Sequence, residues 1–147
     1  MRKMLYLALG MTLLLSCGGK EKEGAVGILD AAREKYESGD YAASLLLIDS
    51  LRRSHPEAIE ERRKALALYQ DASEKMAQKE IASLDIQLQQ AQKQLDSLQN
   101  VADAKRGDND AATLAQLARQ RQKRDSLQVA FDTQCAKVRL IRERRKG

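Results

Sequence analysis

The sequence predicts an all-α protein, and three observations predict it. Helix formers (Ala, Leu, Gln, Glu, Lys and Arg) dominate the 147 residues, while aromatic residues make up only 3% and tryptophan is absent. Pro56 is the single proline, and the stretch from 57 to 103 contains neither proline nor glycine. Apolar residues recur at steps of three and four along most of the chain, the period of one helix face. This composition points to long helices and coiled coil, with little material for an aromatic core.

Residues 1–16 read as a signal peptide. Arg2 and Lys3 precede a short apolar run that ends at Leu14-Leu15-Ser16-Cys17. Met4 to Leu15 is about a dozen residues, whereas a helix needs about 20 to span a bilayer. The run into Cys17 resembles the lipobox of Gram-negative bacterial lipoproteins. Leu14 and Ser16 match that motif, and Leu15 is bulkier than the usual small residue. The resemblance implies that Cys17 is acylated and becomes the new N-terminus. It also implies the bacterial cell envelope, with the outer membrane favoured. Each buried lipid methylene contributes about 0.8 kcal/mol, so two or three acyl chains hold a protein stably.

Residues 17–24 offer no apolar residue for a core after Cys17 and read as a flexible tether. From Ala25 the helical period begins, with Ile28, Leu29, Ala32 and Tyr36 on one face. Ser38-Gly39-Asp40 ends that helix. A second stripe runs through Tyr41, Ala42, Leu45, Ile48, and Leu51 or Leu47. Ser54-His55-Pro56 stops it, because a residue before proline is pushed out of the α region. Residues 25–56 therefore form a helical hairpin.

This hairpin resembles a single tetratricopeptide repeat. Ala32 takes the small-residue site, Tyr36 the aromatic site, Gly39-Asp40-Tyr41 the turn and Pro56 the closing proline. Ile28, Ala31, Ser44 and Leu51 depart from the family pattern. One such repeat cannot bury its own face, so the resemblance implies that the next helix or another protein covers it.

Residues 57–103 read as one long helix of about 70 Å at 1.5 Å per residue. Glu57, Glu60 and Glu61 suit its first turns. Ile59, Leu66, Tyr69 and Met76 open the expected apolar stripe. Ile81, Leu84, Leu88, Ala91, Leu95, Leu98 and Ala102 continue it as a heptad seam. Residues 104–110 carry turn chemistry, with Gly107 and Asn109 able to take positive φ and Asp110 placed to cap the next helix. Residues 111–147 form a basic C-terminal helix. Leu117, Leu127, Phe131, Val138 and Ile141 share its seam with Gln120, Arg124 and Gln134. A short turn between two long helices predicts a long antiparallel coiled-coil hairpin.

The formal net charge is +5. Residues 117–147 hold ten Lys/Arg against three acids, while 17–116 carry −4. Arg139, Arg142, Arg144, Arg145 and Lys146 are the candidates for contact with an anionic lipid or envelope polymer. The alternative reading of this run is a solvated helix end whose cations complement the dipole. Export and the lack of interleaved aromatics argue against nucleic acid.

No catalytic set can be assembled around His55, the only histidine, which reads as a residue capping a helix end. With Cys17 consumed by lipid, Cys135 stands alone and reads as a packed small residue. No metal, cofactor or enzymatic activity is expected. The expected role is a non-catalytic scaffold or interaction module, held to the membrane by covalent lipid and binding another envelope protein. Its alternative is a binder of anionic polymer or lipid through the C-terminal helix. A homo-oligomer stays open.

Overall fold

The computed structural model describes residues 17–104 and 111–146, with side chains described from Glu23 onward. The signal segment 1–16, the Cys17 side chain and the turn residues 105–110 lie outside the described residues. The fold is all-α, built of α1 (Cys17–Glu37), α2 (Tyr41–Ser54), α3 (Ile59–Ala104) and α4 (Ala111–Arg144). The chain divides into two compact units between Ser73 and Glu74.

In the first unit, α1 and α2 form a hairpin closed by a Schellman turn. The Asp40 N–H donates to the Lys35 carbonyl and the Gly39 N–H to the Tyr36 carbonyl, at 2.9 and 3.0 Å. Gly39 sits at φ +80°, where a side chain is strained. Asp40 then caps α2, its carboxylate accepting from the Ala43 N–H at 3.1 Å. Tyr36 and Tyr41 pack ring to ring across the turn, 5.5 Å between centroids.

The core of this unit gathers Ala25, Leu29, Ala32, Ile48, Leu51, Ala58 and Ala65, with Ile28, Leu47 and Leu68 packed against it. Ser44 is fully buried, and its hydroxyl donates to the Ala32 carbonyl at 2.8 Å. That bond satisfies a polar group that would otherwise be costly to bury. It also places two small residues where α1 and α2 face each other. The α2 core face therefore runs through Ser44, Ile48 and Leu51, while Ala42 of the expected stripe is exposed.

Besides Ala42 and the start of α3, two expectations fail in this unit. The segment 17–24, expected as a flexible tether, is the beginning of α1. Gly24 seats against the His55 ring, and a Cβ there would stand 3.1 Å from His55 Cε1. The glycine, a tether signal in the sequence, gives α1 a tight approach to the His55 ring at the α2–α3 junction.

The second failure is the stripe that opens α3. Ile59, Leu66 and Tyr69 are 65%, 45% and 38% exposed, while Ala58, Ala65 and Ala72 are buried with Leu68 half-buried. Weighting large apolar residues selects the wrong face, because this unit packs closely on alanine. The helix also starts two residues later than expected, since Pro56 and Glu57 lie in the turn.

The second unit joins the later part of α3, from Glu74, to α4 as an antiparallel hairpin. Glu74 meets Arg142 at one end, and Leu95, Ala102 and Leu117 cluster at the other. Between them, Leu88 and Gln92 share a cleft with Arg124 and Gln128, and Ser97 and Leu98 share one with Gln116 and Gln120.

The expected seams hold. Leu84, Ala91, Leu95 and Ala102 are buried, and Ile81, Leu88 and Leu98 half-buried. On α4, Leu117 and Val138 are buried, with Gln120, Arg124, Leu127, Phe131, Gln134 and Ile141 half-buried. The outer faces carry amide–carboxylate hydrogen bonds four residues apart, such as Gln89 to Asp85 and Gln128 to Asp132. Such pairs each stabilise a helix by about 0.2–0.5 kcal/mol.

Candidate functional site

Cys17 is the first residue of α1. Gly24, which meets the His55 ring, lies about two turns further on, about 10 Å along the helix. Among the described residues no helix is long and apolar enough to cross a membrane.

His55 occupies the C-cap of α2, its N–H donating to the Leu51 carbonyl at 3.0 Å. The ring is mostly buried, with Nδ1 3.4 Å from Glu57 Oε1 and no hydrogen bond. Its surroundings are those of a packed capping residue beside Gly24. Cys135 is a half-buried free thiol on α4. Among the described residues no three His, Cys, Asp or Glu side chains converge as a metal site.

The five basic candidates at the C-terminus divide into two groups. Arg142 Nε donates to Glu74 Oε1 at 2.8 Å, and Arg145 Nη1 lies 3.1 Å from Glu74 Oε2. Both carboxylate oxygens of Glu74 are thus taken, and its side chain is only 13% exposed. The hydrogen bond from Arg142 holds the Glu74 carboxyl below its usual range. The charges of Arg142, Arg145 and Lys75 add to this, and desolvation opposes it. Arg139, Arg144 and Lys146 are exposed and form no ion pair among the described residues. The run therefore closes the base of the hairpin with two arginines and leaves three cations to solvent.

On the α4 seam, two polar atoms are buried without a hydrogen bond, Gln120 Oε1 and Arg124 Nε. Arg124 Nε lies 2.8 Å from Asp125 Oδ1 of the next residue, an electrostatic contact without hydrogen-bond geometry. Both belong to the polar positions that the sequence places on this seam.

One surface feature lies outside the sequence expectations. In the first unit, Arg52 of α2 and Ile59, Arg62, Arg63 and Leu66 of α3 line an open groove of about 340 Å³. The Arg52 guanidinium stands over the Tyr69 ring, 5.4 Å from its centroid. Arg62 Nη1 donates to the Pro56 carbonyl at 2.6 Å. The signal in the sequence is Ile59 and Leu66, seven positions apart with arginines between them. It mimics a core stripe because Ala58 and Ala65, each one residue earlier, are smaller. Comparison of the chain with protein-family models, curated proteins and solved structures gives no match.

Proposed function

We propose that this chain is a lipid-anchored protein of the bacterial cell envelope that acts as a non-catalytic interaction module. The observation that carries the reading is the run Leu14-Leu15-Ser16-Cys17 behind a short apolar segment with Arg2 and Lys3 at its head. The helical fold adds support of a different kind. A tetratricopeptide-like hairpin followed by a coiled-coil hairpin presents long side-chain faces, the form in which helices receive partner segments. Within this reading lipid supplies location and the helical faces supply recognition.

Cys17→Ser tests the anchor. The native chain is expected to incorporate labelled palmitate and to stay with membranes after a high-salt wash. The Cys17→Ser chain is expected to incorporate none. Equal labelling of the two would overturn the reading.

Binding of an anionic polymer or lipid through the C-terminal helix ranks second. Arg139, Arg144 and Lys146 are available to it, whereas Arg142 and Arg145 are engaged by Glu74.

A further inference from the structure

We infer that the groove edged by Arg52, Arg62 and Arg63 is a docking surface for an acidic amphipathic helix of a partner protein. The inference deepens the interaction reading above and rests on it for the existence of a partner. All of the residues concerned lie in the first unit.

The floor of the groove is apolar. Ile59 and Leu66 lie two helical turns apart along α3, about 10.5 Å at 1.5 Å per residue. Tyr69 extends the row by a further turn, and all three are exposed. In helix-in-groove recognition the guest helix supplies anchors at i, i+3 or i+4, and i+7, and such a stripe can lie along this row.

The rim is cationic, and its charges are unevenly satisfied. Arg53 pairs with Asp49 at 2.8 Å and Arg63 with Glu60 at 3.7 Å. Arg52 and Arg62 meet no carboxylate among the described residues. Arg52 is positioned by the Tyr69 ring and Arg62 by the Pro56 carbonyl. Two guanidinium groups are thereby pre-oriented beside an apolar row with their charge uncompensated. Arginine suits this task because its planar fork takes a carboxylate by two parallel hydrogen bonds. Arginine and tyrosine are also the residues enriched where interfaces concentrate their affinity.

The charge pattern selects the occupant. Two exposed carboxylates belong to the same stretch of chain: Glu60, 3.7 Å from the rim residue Arg63, and Glu57, two residues before Ile59. They would repel a continuous sheet of anionic headgroups. A helix can place separate carboxylates at Arg52 and Arg62 while keeping other positions neutral. The occupant is therefore a helix with apolar residues at i, i+3 or i+4 and i+7, flanked by Asp or Glu.

A displayed library of amphipathic helices with randomised polar positions, panned on the full-length chain, tests this. The enriched sequences are expected to be acidic beside their apolar stripe. The best one, made as a fluorescent peptide, should lose at least tenfold in affinity on Arg52→Gln with Arg62→Gln, and likewise on Leu66→Gln. Leu46→Gln, an exposed position outside the groove lining, should leave affinity unchanged, and circular dichroism of each variant checks its fold. Enrichment of neutral or basic helices, enrichment of nothing, or binding indifferent to the groove variants would overturn the inference. Binding of anionic vesicles or self-association that depends on the same residues would overturn it too. The anchor is tested separately by acylation of Cys17, so either result can fail while the other stands.

Discussion

The two units of this chain solve one problem, covering helix faces with almost no aromatic residues, in opposite ways. The first packs on small residues: Ala25, Ala32, Ser44, Ala58 and Ala65 let three helical segments come close, and Ile48 and Leu51 fill the remaining space with almost no exposure. The second spreads its contacts along a heptad seam. On α4 that seam includes Gln120, Arg124 and Gln134, and most of its members are only half-buried. Close packing concentrates stability in a few positions. A zipper distributes it and tolerates polar residues, at a cost in stability that can set register.

The largest expected effect falls in the first unit. Leu51→Ala leaves a cavity in a core with little capacity to collapse, and should cost about 2–5 kcal/mol. Leu117→Ala, on the more open seam of the second unit, should cost less. Hydrogen exchange resolved along the chain measures both, because it reads each unit separately. Equal losses at the two sites would break the contrast.

Gly39→Ala should rank next, at about 1–2 kcal/mol, because a side chain at φ +80° meets the steric cost of the left-handed region. The loss should appear as faster exchange in α1 and α2.

Gln120→Leu works in the other direction. It replaces a buried acceptor without a hydrogen bond by an apolar seam residue, and should stabilise the second unit by about 1 kcal/mol. A lower urea midpoint for this variant would show that the amide is satisfied after all.

The zipper's legibility and the first unit's illegibility have one cause. Heptad spacing is written in large residues, so Ile81 to Ala102 and Leu117 to Ile141 can be placed on their faces from sequence alone. An alanine-packed face is written in residues that also occur everywhere else on helices. Ala58, Ala65 and Ala72 therefore stand out less than Ile59, Leu66 and Tyr69, and the docking groove hides inside an expected core. Gly24 misleads for a related reason, since a glycine that permits close approach to His55 looks in sequence like one that loosens a tether. The engagement of Arg142 and Arg145 by Glu74 joins residues 68 positions apart in the Arg142 case, and no local pattern announces it.

That ion triad gives the smallest expected effect, a dependence on pH. The Glu74 carboxyl titrates below its ordinary value of 4.5 in the folded chain. Its contribution to the hairpin is therefore present above that value, and is lost as pH falls through the lowered one. Glu74→Gln should remove this part of the acid sensitivity of the second unit and leave the first unchanged. An identical acid profile for the variant would place the sensitivity elsewhere.

Location is the one property that an envelope interaction module cannot do without, and the proposed anchor at Cys17 is what would supply it. Intact and peptide mass spectrometry of the chain purified from its own membranes measures it directly. The expected result is a polypeptide beginning at Cys17 and carrying the mass of two or three acyl chains on that residue. A chain that retains Met1, or one cut elsewhere with Cys17 unmodified, would contradict it.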